Sequence, residues 1–454
     1  MHFLELERRS HNGEQLDKES WDVDRVVMGT AEIVEKYGLA WDKNDLCPVD
    51  DELCRRYYEA GRELLVNIGV YNSTTKRVIR FSEKEIDRAA ANQRQSMIMG
   101  RGVDACTLYA RKPEDTRKPL VFSGNPGCPT PEQYYKAYIL SCVREPEIDL
   151  LTCGSLADVD GYPVRTGEAS EVLAVRRELT YLNQAAQDAG RGGIGRLTAE
   201  SAVSEIGDLA AFAEGFIQTG DSHLVALYNE LITNKDNMVR AAASIHTGVL
   251  NSSLACVMIE GLPGGTPGST VVMIASILAA NIICRADYHL CHPIHLRYIA
   301  TSTRECMWLQ SVVCQAFYLC APNIIVCDIY PKSGALTKEL LYEVAANTLA
   351  ITVSGGHLEG VGSCDGLLPH GTGLEARLMG AVGRFVSQQA MSREEAGKII
   401  LKLLEKYEHV FPTGNPGVPF NVAYDVIKVE PVDEWQRMYD EVCNELMALG
   451  IQVY

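Results

Sequence analysis

Residues 189–201 read Ala-Gly-Arg-Gly-Gly-Ile-Gly-Arg-Leu-Thr-Ala-Glu-Ser, and Gly190, Gly192 and Gly195 fall at the G-x-G-x-x-G spacing of a dinucleotide loop. Such a loop works between a strand and the helix that follows it, because the turn must aim backbone N–H groups at a pyrophosphate from the end of a sheet. Here the order is reversed. Residues 171–188 carry Val172, Leu173, Val175, Leu179 and Leu182 at helix-face spacings, so a helix precedes the glycines and a short strand, GIGRL from Gly193, follows them. The stretch is therefore read as a Gly-rich connection inside a run of βα units, not as a nucleotide site.

Working outward from it, β-rich runs alternate with helical stretches at roughly thirty-residue spacing, the rhythm of βα units. Candidate strands begin near Pro119, Ile148, Gly193, His223, Ser253, Asp287, Asn323 and Leu349. Candidate helices between or after them cover 132–143, 234–247, 269–283, 304–319, 337–347 and 374–388. Eight units predict an α/β fold closed as a TIM-type (β/α)8 barrel, with an open doubly wound sheet as the alternative. Residues 1–117 then form a mostly helical extension, 118–391 the barrel, and 392–454 helices packed outside it.

The chain has 454 residues, 46% hydrophobic and 22% charged, with a formal charge of −17. That charge argues against a nucleic-acid or anionic-membrane surface, either of which needs a basic field. The start, MHFLELERRSHNGEQ, lacks the apolar core of a signal peptide, so a cytoplasmic protein is expected. The apolar run 271–284 is too short to cross a bilayer and reads as a buried helix. The 15 cysteines show no paired C-x-x-C spacing and read as small buried hydrophobes.

A barrel puts its chemistry at the C-terminal ends of its strands, and polar or glycine-rich stretches stand there at 260–268, 289–297, 328–332 and 354–371. His289, Cys291 and His295 have one parity and offer a zinc or iron site, although Pro293 interrupts the ladder between them; barrel-interior hydrogen bonding is the competing reading. Asp328 and Tyr330 lie two apart at the end of an apolar run, where a carboxylate is either paired in the core or faces a cavity. Thr301-Ser302-Thr303-Arg304-Glu305 is read as a capped helix start. Glu200 stands near the start of a helix, and Leu197 and Glu200 project over the barrel mouth if the third strand ends at 196 or 197.

The order of motifs resembles the monomethylamine:corrinoid methyltransferase family of methylotrophic methanogens over nearly the whole chain. The likeness is carried by AGRGGIG at 189–195, DSH at 221–223, HLCHPIHLRYIATSTRE at 289–305, TGLEARLMG at 372–380 and YDVIKVEP at 424–431. The resemblance implies a barrel enzyme of methanogenesis. It would move a methyl group from a methylamine to the Co(I) of a separate corrinoid protein and work as a homo-oligomer, with a hexamer as precedent. It also implies that Leu197 stands at the position of pyrrolysine, the electrophilic residue that captures the amine. Leu224 and Leu254 replace two glutamates that flank it, Asp328 replaces a glutamine, and Glu200 and Tyr330 are kept.

Leucine offers no electrophile, and three leucines make the pocket apolar while Asp328 adds a charge. The expected function is thus a pyrrolysine-free methyltransferase for methylated amines or related methylated cations. Asp328, Tyr330 and Glu200 are its catalytic candidates. Leu197, Leu224, Leu254, Tyr288, Tyr298 and His295 are the expected substrate-binding set, with Tyr288, Tyr298 and Tyr330 supplying cation–π faces. No metal and no tightly held cofactor is expected: Asp221-Ser222-His223 begins like a D-x-H-x-x-G corrinoid motif, but Ala226 stands where the glycine belongs. Cobalamin would come on a partner. A metal-dependent barrel built on His289, Cys291 and His295, and a non-catalytic binding barrel, are the competing functions.

Overall fold

The computed structural model describes residues 1–453. Eight parallel strands close into a ring in chain order: β1 (Val121–Ser123), β2 (Leu150–Leu151), β3 (Gly195–Thr198), β4 (Ser222–Leu227), β5 (Leu250–Ile259), β6 (Tyr288–His295), β7 (Ile325–Ile329) and β8 (His357–Gly360), with β8 bonded back to β1. This is the expected (β/α)8 barrel. Helices follow the strands at Glu132–Val143, Lys235–Ala243, Thr266–Ile283, Arg304–Cys320, Lys338–Ser354 and Gly373–Gln388. Thr303 caps the fourth of these by accepting from the Cys306 N–H, so the capped start is as read.

The eighth strand lies later than expected. Residues 349–354 finish the helix Lys338–Ser354, which is buried from Leu340 onward, and Gly355 ends it at φ +95°. A β-branched run such as Ile351-Thr352-Val353 suits a strand by propensity, but burial on every side makes it equally at home in a core helix.

Thr266–Ile283 is the one helix long and apolar enough to cross a membrane among the described residues, and 94% of it is buried inside the fold. It packs against Asp51–Ile68 of the N-terminal segment, where further helices run over Phe3–Asn12, Met28–Tyr37 and Glu83–Ala91. That segment also supplies an antiparallel hairpin, Ser96–Met99 with Cys106–Tyr109. Met97, Met99 and Leu108 of the hairpin enter the inner barrel core beside Leu120, Leu150 and Leu197 and close the N-terminal end of the barrel.

The hairpin also explains the glycines at 190–195. The Arg101 N–H donates to the Gly193 carbonyl at 2.7 Å, and a Cβ on Gly195 would lie 2.6 Å from Gly100 N and 2.7 Å from Leu150 Cδ2. Glycine is needed there because another piece of backbone passes too close for a side chain. The helix Ala169–Asp188 precedes the stretch, as read. At the other end of the chain, Arg393–Tyr407 and Asp433–Ala448 pack on Lys338–Ser354.

Candidate active site

The inward positions of β5 are Leu254, Cys256 and Met258; all three are half-buried, whereas Ala255, Val257 and Ile259 between them are buried. Side chains alternate across a strand, so the inner wall opens toward the C-terminal ends while the outer face stays under helices. Leu224, Ala226, Ile294, Tyr330 and Glu200 are half-buried at the same end. Together they outline a funnel. Leu197 is fully buried beneath them in the floor, so it reaches the funnel base and not its rim.

Parity along β6 decides the fate of the His/Cys candidates. Val257 pairs with Pro293 in an unbroken β5–β6 ladder, so the proline does not reset the alternation. The inward residues are Tyr288, Leu290, His292 and Ile294. His289, Cys291 and His295 do share a face, but it is the outer one. His289 Nδ1 meets Ser253 Oγ at 2.7 Å and its Nε2 meets Asn323 Oδ1 at 3.0 Å, while Cys291 lies in the core under the helices. His295 sits against the Tyr298 ring at 4.6 Å. Among the described residues no group of three or more His, Cys, Asp or Glu is placed to hold a metal ion. The metal-dependent reading fails on this geometry.

Three members of the expected binding set also lie elsewhere. Tyr288 is fully buried in the floor, its hydroxyl 2.7 Å from Ser222 Oγ, so its ring offers no free face. Tyr298 stacks on Phe411 at 5.4 Å outside the barrel, and His295 follows it there. His295 is set by the outward parity of β6, and Tyr298 by the turn of the chain after it.

What the barrel does assemble is a lateral row across four adjacent strands. Cys256 pairs with His292, His292 Nδ1 lies 2.7 Å from Asp328 Oδ2, and Asp328 pairs with Glu359. The row beneath it is apolar at Leu254, Leu290 and Val326 and ends at His357 of β8. Burial pushes the Asp328 carboxyl well above the usual carboxylate range. It does the same to Glu359, with the neighbouring Asp328 charge adding to the effect. Burial lowers His292 to about 4, which keeps its ring neutral.

Glu200 enters from the loop after β3. Its carboxyl is raised by burial and then by Glu178, Glu359 and Asp328, while Arg240 opposes the shift. Glu178 fixes this loop by accepting from the Glu200 N–H at 3.0 Å and the Ser201 N–H at 2.7 Å. Glu171, from the same helix, accepts from the Val203 and Ser204 N–H groups. Tyr330 is held as firmly: its N–H donates to Thr301 Oγ1 at 2.8 Å, its hydroxyl donates to the Pro126 carbonyl at 2.9 Å, and its ring stands edge-on to His292 at 4.4 Å. A Cβ on Gly362 would come within 2.6 Å of that ring.

Sequence reasoning missed His292 and Glu359. The signal for His292 was the even parity of β6, obscured by Pro293; that for Glu359 was lost when the eighth strand was placed over 349–354. Asp221 and His223 are spent on structure: Asp221 pairs with Arg196 at 3.1 Å, and His223 meets Asp208 at 3.2 Å and Asn251 at 2.7 Å.

A closed (β/α)8 barrel with fixed acids and a tyrosine at the C-terminal mouth defines a barrel enzyme. The model of the family "Monomethylamine methyltransferase MtmB" matches residues 1–451, and the chain belongs to that family. It is 32% identical over 451 residues to monomethylamine methyltransferase MtmB2 of Methanosarcina acetivorans, covering 98% of this chain and 96% of the relative. It is 31% identical over 445 residues to MtmB of Methanosarcina mazei, with the same coverage. The crystal structure of the Methanosarcina barkeri monomethylamine methyltransferase superposes with a TM-score of 0.96 at 29% identity, covering 99% of this chain and 98% of that one.

Proposed function

We propose that this protein moves a methyl group from a methylated amine or related methylated cation to the Co(I) of a separate corrinoid protein, without pyrrolysine. The observation that carries the reading is the funnel, with Asp328 and Tyr330 on one wall, Leu224 and Leu254 on the other, and Leu197 in the floor. The full-length relatives named monomethylamine methyltransferases support the reaction class. Leu197, at the place the resemblance gives to pyrrolysine, has no atom that forms an adduct with an amine.

A quaternary ammonium or sulfonium centre needs no such capture. When its methyl carbon is attacked, the pair of the broken C–N or C–S bond stays on nitrogen or sulfur, and the product leaves neutral. Such a centre is also easier to desolvate than an ammonium ion, and leucine walls favour it for that reason. The Tyr330 ring would add about 0.5–2 kcal/mol of cation–π attraction, Asp328 charge complementarity, and Glu200 a second carboxyl at the rim. The corrinoid enters as a second substrate on its partner, because Asp221 and His223 are buried and already paired with Arg196 and Asp208.

The test is an anaerobic assay with a purified corrinoid protein in the Co(I) state, following its absorption as the methyl group arrives. Tetramethylammonium and trimethylsulfonium are expected to serve as donors. Turnover of monomethylamine alone would overturn the substrate reading. Tight binding of the cations with no transfer from any donor would leave a non-catalytic barrel.

A further inference from the structure

The row Cys256–His292–Asp328–Glu359 sets a second carboxyl, Glu359, on the strand beside Asp328, and the proposed reaction as stated gives it no role. Asp328 Oδ1 and Glu359 Oε2 are both buried and neither has a hydrogen-bond partner of good geometry among the described residues, although Thr152 and the neighbouring carboxyl lie near enough to act on Glu359. Ionised carboxylates only accept, so two such oxygens side by side need either a proton or a cation between them. We infer that Asp328 and Glu359 form a two-carboxyl seat for the positive centre of the methyl donor, with His292 as the residue that positions it. The inference rests on the methylated-cation reading above and deepens it, because Glu359 and His292 enter the site from geometry alone.

The surroundings favour a cation from outside. Thr152 faces Glu359 from β2, Glu200 comes in after β3, Cys256 stands on β5, His292 on β6 and Tyr330 after β7. Cys291 lies behind the row on the outer face. Arg240, from the helix after β4, acts on Glu200 and is held by donating its Nη1 to the Leu224 carbonyl at 3.3 Å. His292 is neutral. Nothing among these groups supplies a positive charge to the Asp328–Glu359 pair. In the free protein the pair therefore keeps a proton, consistent with the upward push of burial on both carboxyls. A bound cation takes the proton's place, the proton goes to solvent, and the seat passes from singly to doubly negative while the charge of seat plus occupant stays unchanged.

His292 fixes Asp328 through Nδ1, so its loss acts on the seat without touching the ligand. His292→Asn keeps a donor near that position, whereas His292→Phe removes it with the ring shape kept.

The experiment is isothermal titration calorimetry of the full chain with tetramethylammonium chloride, repeated across pH and in buffers of different ionisation enthalpy. The expected result is release of about one proton per cation bound, with affinity rising by about tenfold per pH unit until the pair ionises. Glu359→Gln should abolish the proton release and flatten the pH dependence. His292→Phe should move the pH midpoint upward and His292→Asn restore it. Should a variant fail to fold, the parent protein supplies the readout: an infrared carboxylic-acid C=O band present before titration is expected to vanish when the cation binds.

Binding without proton release, or an unchanged profile in Glu359→Gln, overturns the seat while leaving methyl transfer to its own assay. Proton-releasing binding with no methyl transfer overturns the proposed reaction and supports the seat. No binding of tetramethylammonium by the parent overturns the seat as well.

Discussion

On the β3–β5 side of the funnel Leu197, Leu224 and Leu254 line the floor and lower wall; on the β6–β8 side His292, Asp328 and Glu359 stand one row higher, at the level of Cys256. Both sides use the same parallel frame and the same inward parity. The difference is in what each side does to the other. Burial is the largest cause of the raised carboxyls, and the apolar residues in the row beneath them, Leu254, Leu290 and Val326, supply no dipoles to offset it. The apolar half is thus an electrostatic component of the polar half.

This comparison breaks most visibly at Leu197. Its replacement by Ala should open a hole in the floor and cost about 2–5 kcal/mol of stability, measured by denaturant unfolding, with little change in cation affinity. A large loss of affinity without a stability change would mean that Leu197 contacts the ligand directly.

Asp328→Asn strikes the other half. It should weaken binding of a quaternary or sulfonium cation by about two orders of magnitude, read by calorimetry. Stability should move the opposite way. Carboxyls raised in the folded state hold protons that the unfolded chain releases, so the protein loses stability as pH climbs from the ordinary carboxylate range through their raised values. Asp328→Asn removes one of these, and its Tm advantage over the parent should grow as pH climbs above the ordinary carboxylate range. A constant or shrinking advantage would show that the carboxyl is not forced neutral.

Glu178→Gln tests whether the Glu200 loop is fixed from behind. Loss of the carboxylate that accepts the Glu200 and Ser201 N–H groups should cost about 1–3 kcal/mol and raise hydrogen exchange at 199–204. The smallest effect belongs to Cys291→Ala, on the outer face of β6. It should shift stability by about 1 kcal/mol and leave cation binding and methyl transfer as they were; a loss of activity would return the His/Cys cluster to consideration.

Much of the barrel was legible because βα spacing, strand patterning and the helix before Gly190 are local signals. The eighth strand was not, since Leu349–Ser354 are apolar whether a helix or a strand buries them, and only tertiary packing chooses. Asp328 and Tyr330 could be picked out as a polar pair ending an apolar run. Glu359 became readable only with its strand in place, and His292 only once the ladder was seen to run through Pro293. Tyr298 and His295 illustrate the converse error: closeness to a strand end fixes neither which face a residue takes, as at His295, nor which way the chain turns beyond it, as at Tyr298.

The hairpin fills the N-terminal end of the barrel, which leaves the C-terminal mouth as the way in to the proposed site. On the proposed reaction donor and spent product would share that mouth with the corrinoid protein, so order of arrival becomes part of catalysis: donor first, acceptor second, and no exit for the product until the acceptor leaves. Steady-state kinetics should therefore show compulsory-order behaviour, with inhibition at high acceptor concentration as the mouth is blocked before the site is loaded. Random-order kinetics would mean that small molecules have found another way in.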